Sequence, residues 1–183
     1  MTELLSYPLD SGAEQHAAEL VLAFDRLGSE HRALYEKIDD LQSAACRLQK
    51  THELITRPDV LKQLKEDTLL LLAELNDHSE WEDTELFPLL TAHFQQPNRP
   101  DTATSLWMLE KDYELAAAYF RLFLNEAEQC CIHPEKYGEG DCLEQLLQAC
   151  RLVKGHLQME EETIFPLLAE LPESIHRGIR RRF

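Results

Sequence analysis

One short pattern occurs twice in this chain and limits what the chain can fold into. Residues 78–90 read HSEWEDTELFPLL, and residues 156–168 read HLQMEEETIFPLL. The two copies align without a gap, and each places a histidine one helical turn before a glutamate and ends in Phe-Pro-Leu-Leu. Because residues four apart lie on the same face of a helix, each copy can direct both side chains to one point. The duplication predicts a chain built from two similar helical halves.

Apolar residues recur at helical spacing in four long stretches that are separated by turn signals. The predicted helices cover about residues 13–54, 59–93, 102–130 and 142–170. A break is expected near Gly28, and a basic tail follows the last helix. Four long amphipathic helices joined by short loops pack most simply as an up-down-up-down bundle. We therefore expect an all-α fold in which residues 1–183 form a single four-helix-bundle domain with a metal site in its core.

Each predicted helix carries a stripe that we expect to face the core. The stripes are Leu27, His31, Leu34, Ile38 and Leu41; Leu71, Leu75, His78, Glu82 and Leu89; Met108, Asp112, Leu115, Tyr119 and Leu122; and Leu152, His156, Glu160 and Leu167. Polar residues thus occupy positions that the spacing marks as apolar. Burying histidines and carboxylates together is strongly unfavourable unless they are paired or coordinate cations. Two multivalent cations, bridged by two glutamates, would compensate the buried charges.

The first and third helices show a weaker version of the same duplication. Residues 27–34 align with residues 108–115, which sets His31 against Asp112. Each half would then supply one ligand from its first helix and a His-x-x-x-Glu pair from its second. A single pair of this kind is usually a surface contact, and a single histidine is usually a satisfied core residue. Two copies in the same context favour a metal site.

These motifs resemble the hemerythrin HHE cation-binding family over about residues 20–170. The resemblance is carried by His31, by His78-x-x-x-Glu82 before Leu-Phe-Pro, and by His156-x-x-x-Glu160 before Ile-Phe-Pro. It implies a four-helix bundle around two iron ions joined by an oxo or hydroxo bridge. Manganese and zinc are alternatives, since sets of histidines and carboxylates accept several metals.

The same resemblance implies a role for each residue. Glu82 and Glu160 correspond to the bridging carboxylates, His31 and His78 to ligands of one iron, and His156 to a ligand of the other. The family usually pairs that last histidine with a histidine of the third helix, where this chain has Asp112. We expect Asp112 to bind; the alternative is a second metal site that is weak or empty.

Oxygen-carrying relatives place one more histidine on the third helix, and this chain has Ala116 there. The open position suits a small ligand such as dioxygen, nitric oxide or peroxide. The resemblance therefore implies a protein that binds or senses such a ligand or handles iron. Alternatives are a di-iron peroxidase or oxidase, an iron-delivery protein of the iron-centre repair type, and a metal-free interaction bundle. Whether the chain is an enzyme, and whether it has a protein partner or forms an oligomer, stays open at this point.

Other residues near the motifs have expected roles. Glu80, Asp83, Glu85, Glu161 and Glu162 are most simply a solvated face, and of these only Glu85 is kept as a further candidate ligand. Tyr35 is expected to pack in the core, with a position facing the metal cavity as the alternative.

The two Phe-Pro elements predict local irregularity. Pro88 and Pro166 lack the N–H that continues a helix, so a kink is expected at each. Phe87 and Phe165 are expected to pack nearby as apolar plugs.

Composition excludes several partners and indicates a compartment. The formal net charge of -16 disfavours nucleic acid and anionic membranes, because an acidic surface repels phosphate. Neither a signal peptide nor a membrane-spanning run is recognisable. The five cysteines form an odd set, which favours reduced thiols in the cytoplasm over a disulfide framework.

Overall fold

The computed structural model describes the backbone of residues 11–51, 58–94, 102–133 and 139–170, and the side chains of residues 18–50, 59–94, 113–133 and 142–169. The helices are α1 (Ser11–Thr51), α2 (Pro58–Trp81), α3 (Phe87–Phe94), α4 (Thr102–Ile132) and α5 (Glu139–Ile164). A π-helical turn, Glu82–Leu86, joins α2 to α3, and a 3-10 helix, Phe165–Glu170, follows α5. These bounds agree closely with the predicted helices. Residues 52–54 and the basic tail lie outside the described residues.

The helices form a ring of four rods, which are α1, α2 continued by α3, α4 and α5. α1 packs against α2 and α5, and α4 packs against the same two helices from the other side. Together with the α2–α3 rod this arrangement confirms the four-helix bundle, and the described residues contain no strand. Within the described part of the chain, no helix combines the length and the apolarity that crossing a membrane requires. The single-domain boundary of 1–183 stays a prediction.

Helix α1 runs without a break through Gly28, contrary to the expected interruption. A glycine inside a helix costs only about 1 kcal/mol relative to alanine, and burial of the flanking leucines outweighs that cost. A Cβ atom at position 28 would lie 3.6 Å from Cζ of Phe165, so the bare backbone brings α1 close to the segment after α5. The predicted α1 stripe is confirmed, since all of its members are buried.

Helix α4 is rotated relative to its predicted stripe. Leu115 and Leu122 are 48% and 47% exposed, whereas Phe120 and Phe123 are fully buried. Two apolar stripes compete on this helix, and burying a large aromatic side chain stabilises the fold by roughly 1.5–3 kcal/mol. The stripe with two phenylalanines therefore faces the core, with the small Ala116 allowing the helices to approach.

The buried apolar side chains form two separate clusters. The larger joins α1, α2, α4 and α5 and includes Leu34, Leu75, Phe120, Val153 and Leu157. The smaller lies towards the other end of the bundle and consists of Leu20, Phe24, Leu27, Trp81, Leu86, Leu90 and Ile164. The two clusters leave a layer between them that apolar residues do not fill.

The expected irregularity at each proline is present, in two different forms. Before Pro88 the chain makes the π turn, in which the N–H of Phe87 donates to the carbonyl of Glu82. Around Pro166 the chain instead tightens into the 3-10 helix after Ile164. Phe87 and Phe165 both pack against the smaller cluster, as expected of apolar plugs.

The π turn also corrects the predicted stripe of the second rod. One extra residue in the turn moves the buried face forward by one position, so Leu90 is buried and Leu89 only half-buried.

Candidate metal centre

Five polar side chains occupy the layer between the two apolar clusters. Along α1, for example, His31 lies between Leu27 of the smaller cluster and Leu34 of the larger one, and along α5 Glu160 lies between Leu157 and Ile164 in the same way. The exposed fraction is at most 6% for all five, which are His31, His78, Glu82, His156 and Glu160. The structure thus brings together five of the six ligands predicted from the sequence.

Glu160 lies at the centre of this polar layer. Its Oε2 atom is 3.3 Å from Nε2 of His31, and its Oε1 atom is 2.9 Å from Nε2 of His156. The two carboxylate oxygens therefore face histidines of two different helices, His31 of α1 and His156 of α5. This is the geometry expected of a carboxylate that bridges two cations.

Glu82 and His78 complete one side of the layer. Oε1 of Glu82 lies 3.4 Å from Nε2 of His78, and the rings of His31 and His78 are 5.0 Å apart. One ligand atom from each of His31, His78, Glu82 and Glu160 lies within 4.8 Å of the other three. Four donors can therefore converge on one ion.

The donor atoms that face inward lack hydrogen bonds. Within the described residues, the inward-facing buried atoms without a hydrogen bond include Nε2 of His31, Nε2 of His78, Oε1 of Glu82 and both carboxylate oxygens of Glu160, and the outer nitrogen of His156, Nδ1, also has none. An unsatisfied buried polar group costs roughly 1–3 kcal/mol, so this many in one place need a common partner. Metal ions fit that requirement, because imidazole nitrogens and carboxylate oxygens are their usual ligands.

Two further glutamates hold the outer nitrogens of the histidines. Nδ1 of His78 donates to Oε2 of Glu30 over 2.7 Å, and Nδ1 of His31 donates to Oε1 of Glu161 over 3.0 Å. Both glutamate side chains are about one third exposed. A carboxylate in this position fixes the ring and leaves Nε2 directed at the metal. The expectation that Glu161 belongs to a solvated face was therefore wrong.

Glu30 is itself held from outside. Nε of Arg26 donates to Oε1 of Glu30 over 2.6 Å, and the Arg26 guanidinium lies 4.2 Å from the ring centroid of Trp81. A chain of contacts therefore runs from the indole through Arg26 and Glu30 to His78. It links α1 to α2 beside the centre.

Burial and mutual charge set the protonation of the inner residues. Burial, followed by the charge of Glu160, raises the pKa of Glu82 to about 10. Burial also acts to raise the pKa of Glu160, but the adjacent His156 and His31 outweigh it and lower that pKa. Burial lowers the pKa of His78 despite the nearby Glu30, which favours the neutral imidazole that a metal needs. Of the two glutamates, Glu82 thus holds a proton that a bound cation would displace.

Two other sequence expectations can be decided. Glu85 is exposed and accepts a hydrogen bond from Nε1 of Trp81 over 3.2 Å, so it does not join the four-donor group. Tyr35 packs against the larger apolar cluster with its ring edge towards His31, which confirms core packing. Burial and the charge of Glu161 raise the pKa of the Tyr35 phenol to about 12.

Helix α4 contributes a residue that the sequence did not single out. The ring of Tyr113 lies 6.1 Å from the ring of His156, and its hydroxyl donates to Oδ1 of Asn76 on α2 over 2.5 Å. The neighbouring Asp112 lies in α4, but its side chain is outside the described part of the chain. Its assignment as a ligand stays a prediction.

A four-helix bundle with histidines and carboxylates gathered in its core defines a class of proteins that bind metal ions there. Residues 22–168 match the hemerythrin HHE cation-binding domain, a range that includes all five residues of the polar layer. The chain belongs to the hemerythrin HHE cation-binding family and is a metal-binding protein. Searches among curated proteins and among solved structures found no match.

Proposed function

We propose that the chain holds two iron ions in the polar layer and binds a small molecule, such as dioxygen, nitric oxide or peroxide, at them. The ligands proposed for the two ions are the six residues predicted from the sequence: His31, His78, Glu82, Asp112, His156 and Glu160. The observation that carries the proposal is the convergence of unpartnered nitrogen and oxygen atoms around Glu160.

The mixture of donors favours iron. The layer offers three imidazoles and two carboxylates, and no cysteine belongs to the four-donor group found among the described residues. Structural zinc sites usually contain thiolates, and calcium or magnesium sites are built from oxygen alone. Mixed nitrogen and carboxylate ligation in a helix bundle is typical of non-haem iron and manganese. Family membership makes iron the first choice.

Burial of the layer favours a small ligand over direct exchange with a protein. His31 and Glu160 are fully buried, and apolar clusters close the layer on both sides. A diatomic gas or peroxide can diffuse through a helix bundle, whereas an acceptor protein cannot reach these atoms without opening it. The iron-delivery alternative is therefore less favoured than ligand binding or sensing.

The test is metal content, with spectroscopy, of protein purified from iron-supplemented cells. We expect about two irons per chain, near-ultraviolet charge-transfer absorption, and a reversible visible change on adding nitric oxide or dioxygen. Glu160→Gln removes the central carboxylate and should lose most of the iron. Glu162→Gln is the matched control, because Glu162 is exposed and its carboxylate accepts a hydrogen bond from Nε2 of Gln158.

The outcomes separate the parts of the proposal. Iron that is retained equally in Glu160→Gln and in the wild type would contradict the assignment of the site. Metal that binds normally without any spectral response to nitric oxide, dioxygen or peroxide would contradict ligand binding and leave metal handling as the function.

A further inference from the structure

The two sides of the polar layer are not equivalent. His31, His78 and Glu82 form, with Glu160, the group whose ligand atoms all lie within 4.8 Å of one another. His156 is outside that group and approaches only the other oxygen of Glu160. One side therefore has four donors converging on one point, and we call it the His78 half. The side at His156, the His156 half, has fewer donors among the described residues.

The histidines also differ in whether a carboxylate holds the outer ring nitrogen, Nδ1. In the His78 half, both histidines have Nδ1 held by a carboxylate, from Glu161 and from Glu30. Nδ1 of His156 has no hydrogen-bond partner within the described residues. A carboxylate on the outer nitrogen fixes the tautomer and raises the basicity of the inner nitrogen. Outer carboxylates thus prepare His31 and His78 to bind a cation, and none among the described residues does so for His156.

The internal repeat gives the sequence reason for this difference. In the alignment of residues 27–34 with residues 108–115, Glu30 corresponds to Lys111. In the alignment of the two longer copies, Glu161 corresponds to Asp83, which is exposed. An ammonium group has no acceptor for an imidazole N–H. The half containing His156 therefore has no carboxylate at the position equivalent to Glu30, and its carboxylate at the position equivalent to Glu161 is exposed.

The described part of helix α4 adds no donor to the His156 half, and Asp112, the proposed ligand there, has its side chain outside the described residues. Ala116 is fully buried and has no donor atom, and the hydroxyl of Tyr113 is engaged with Asn76. Both residues are on the part of α4 whose side chains are described, and the ring of Tyr113 lies beside that of His156.

We infer that the two halves bind metal ions in a fixed order, with the His78 half filled first and tightly and the His156 half filled second and weakly. Glu30 and Glu161 act as positioning residues for the first half. This inference rests on the proposed metal binding at these residues. It extends that proposal by giving the centre one resident ion and one exchangeable position.

The test uses cobalt(II) added to the metal-free full chain without oxygen, followed by calorimetry and by visible absorption of the cobalt. We expect two separate binding steps, with the first complete at about one equivalent. His78→Ala should remove the first step. His156→Ala should leave the first step and remove the second.

A second pair of variants tests the positioning role. Glu30→Gln should weaken the first step by about 10- to 100-fold, the usual effect of losing an outer carboxylate, and leave the second step unchanged. Glu36→Gln, at an exposed position of the same helix, is the matched control and should change neither step. If Glu30 served only the fold, Glu30→Gln would lower the melting temperature of the metal-free protein and weaken both steps alike.

The results distinguish this inference from the proposed function. Two equivalents that bind with one affinity, and that are lost together in both histidine variants, would overturn the order of filling while leaving metal binding intact. Cobalt that does not bind the wild-type chain would instead overturn the metal site itself.

Discussion

The cysteine side chains differ widely in their access to solvent. Cys131 is exposed at the end of α4, whereas Cys142 and Cys150 are buried on α5. Burial, with the Cys130 thiol close by, raises the pKa of Cys142 to about 12, and burial raises the pKa of Cys150 to about 12. A thiol with a pKa near 12 rather than 9 holds on the order of 1000-fold less thiolate at neutral pH.

Thiol labelling should reveal this difference directly. With a disulfide reagent at pH 8, we expect Cys131 to react rapidly and Cys142 and Cys150 to react only on unfolding, since the thiolate is the nucleophile. Raising the pH to 10 should leave the two buried thiols slow, because their pKa values of about 12 keep them protonated. Mass spectrometry of labelled peptides measures each site.

Cys131→Ser is the control for that experiment and should remove the rapid phase. Labelling of Cys142 in the native protein at the rate of Cys131 would show that the α4–α5 hairpin opens readily, contrary to its buried packing.

Single residues of the centre were predictable to different degrees. The doubled pattern fixed His78, Glu82, His156 and Glu160, because a helical spacing of four leaves little choice of face. Glu30 and Glu161 were missed, since an acid beside a ligand looks the same in sequence as an acid on a solvated face. Only the packing of a neighbouring helix decides which acid meets a histidine. Their adjacency to the predicted ligands was the one available signal.

Between α2 and α3, the π turn begins at a proposed metal ligand. Glu82 is the first residue of the turn, and its carbonyl accepts from the N–H of Phe87. Pro88 cannot donate to the carbonyl of Thr84, so a regular α-helical turn would lose a bond there. The turn lets Glu82 face the polar layer while Leu86 and Leu90 face the smaller apolar cluster. Turns of this kind are frequent at functional sites.

Replacing the proline should therefore disturb the centre without unfolding the rod. Pro88→Ala restores an N–H, favours the regular turn, and moves Glu82 out of register with Leu90. We expect metal binding to weaken by roughly tenfold, comparable to the loss of an outer support. Cobalt binding measures the loss of metal affinity, and hydrogen exchange at the Phe87 amide measures the change of the π turn.

The internal repeat supplies a matched control at the equivalent proline. Around Glu160, α5 stays regular as far as Ile164, so Pro166→Ala should alter only the 3-10 helix beyond it. Equal weakening by both proline variants, or none by Pro88→Ala, would show that the π turn does not position Glu82.

Helix positions were easier to predict than helix rotations. Prolines and polar loop segments mark where a helix ends, and the four predicted helices end close to the observed bounds, although Gly28 does not interrupt α1 as expected. The rotation of α4 depends on which of two apolar stripes packs best, and spacing alone does not rank Leu115 and Leu122 below Phe120 and Phe123. The π turn was expected only as a kink, because a missing N–H shows where a helix must change but not how.

Across the whole molecule, the polar layer divides the core into two apolar parts. Hydrophobic burial stabilises the bundle above and below the layer, while the unpartnered atoms inside it destabilise the metal-free protein. A buried charge that is left unpaired is more costly than an apolar or neutral replacement of similar shape. The layer therefore favours metal binding at the expense of the metal-free fold.

Metal removal should lower the stability of the wild type and leave the stability of Glu160→Gln unchanged. A ligand present at about 100 times its Kd adds about 2.7 kcal/mol, which corresponds to a melting temperature roughly 5–11 °C higher for a chain of this size. We therefore expect a chelator to lower the melting temperature of the wild type by about that amount and to leave Glu160→Gln unchanged. Without metal, Glu160→Gln should melt somewhat below the wild type, because a neutral amide loses the ion pairs with His31 and His156 that lower the pKa of Glu160. Calorimetry of both proteins, with and without the chelator, gives all four values. A metal-free variant that melts at or above the metal-free wild type would mean that His31 and His156 do not stabilise the buried charge of Glu160 without a cation.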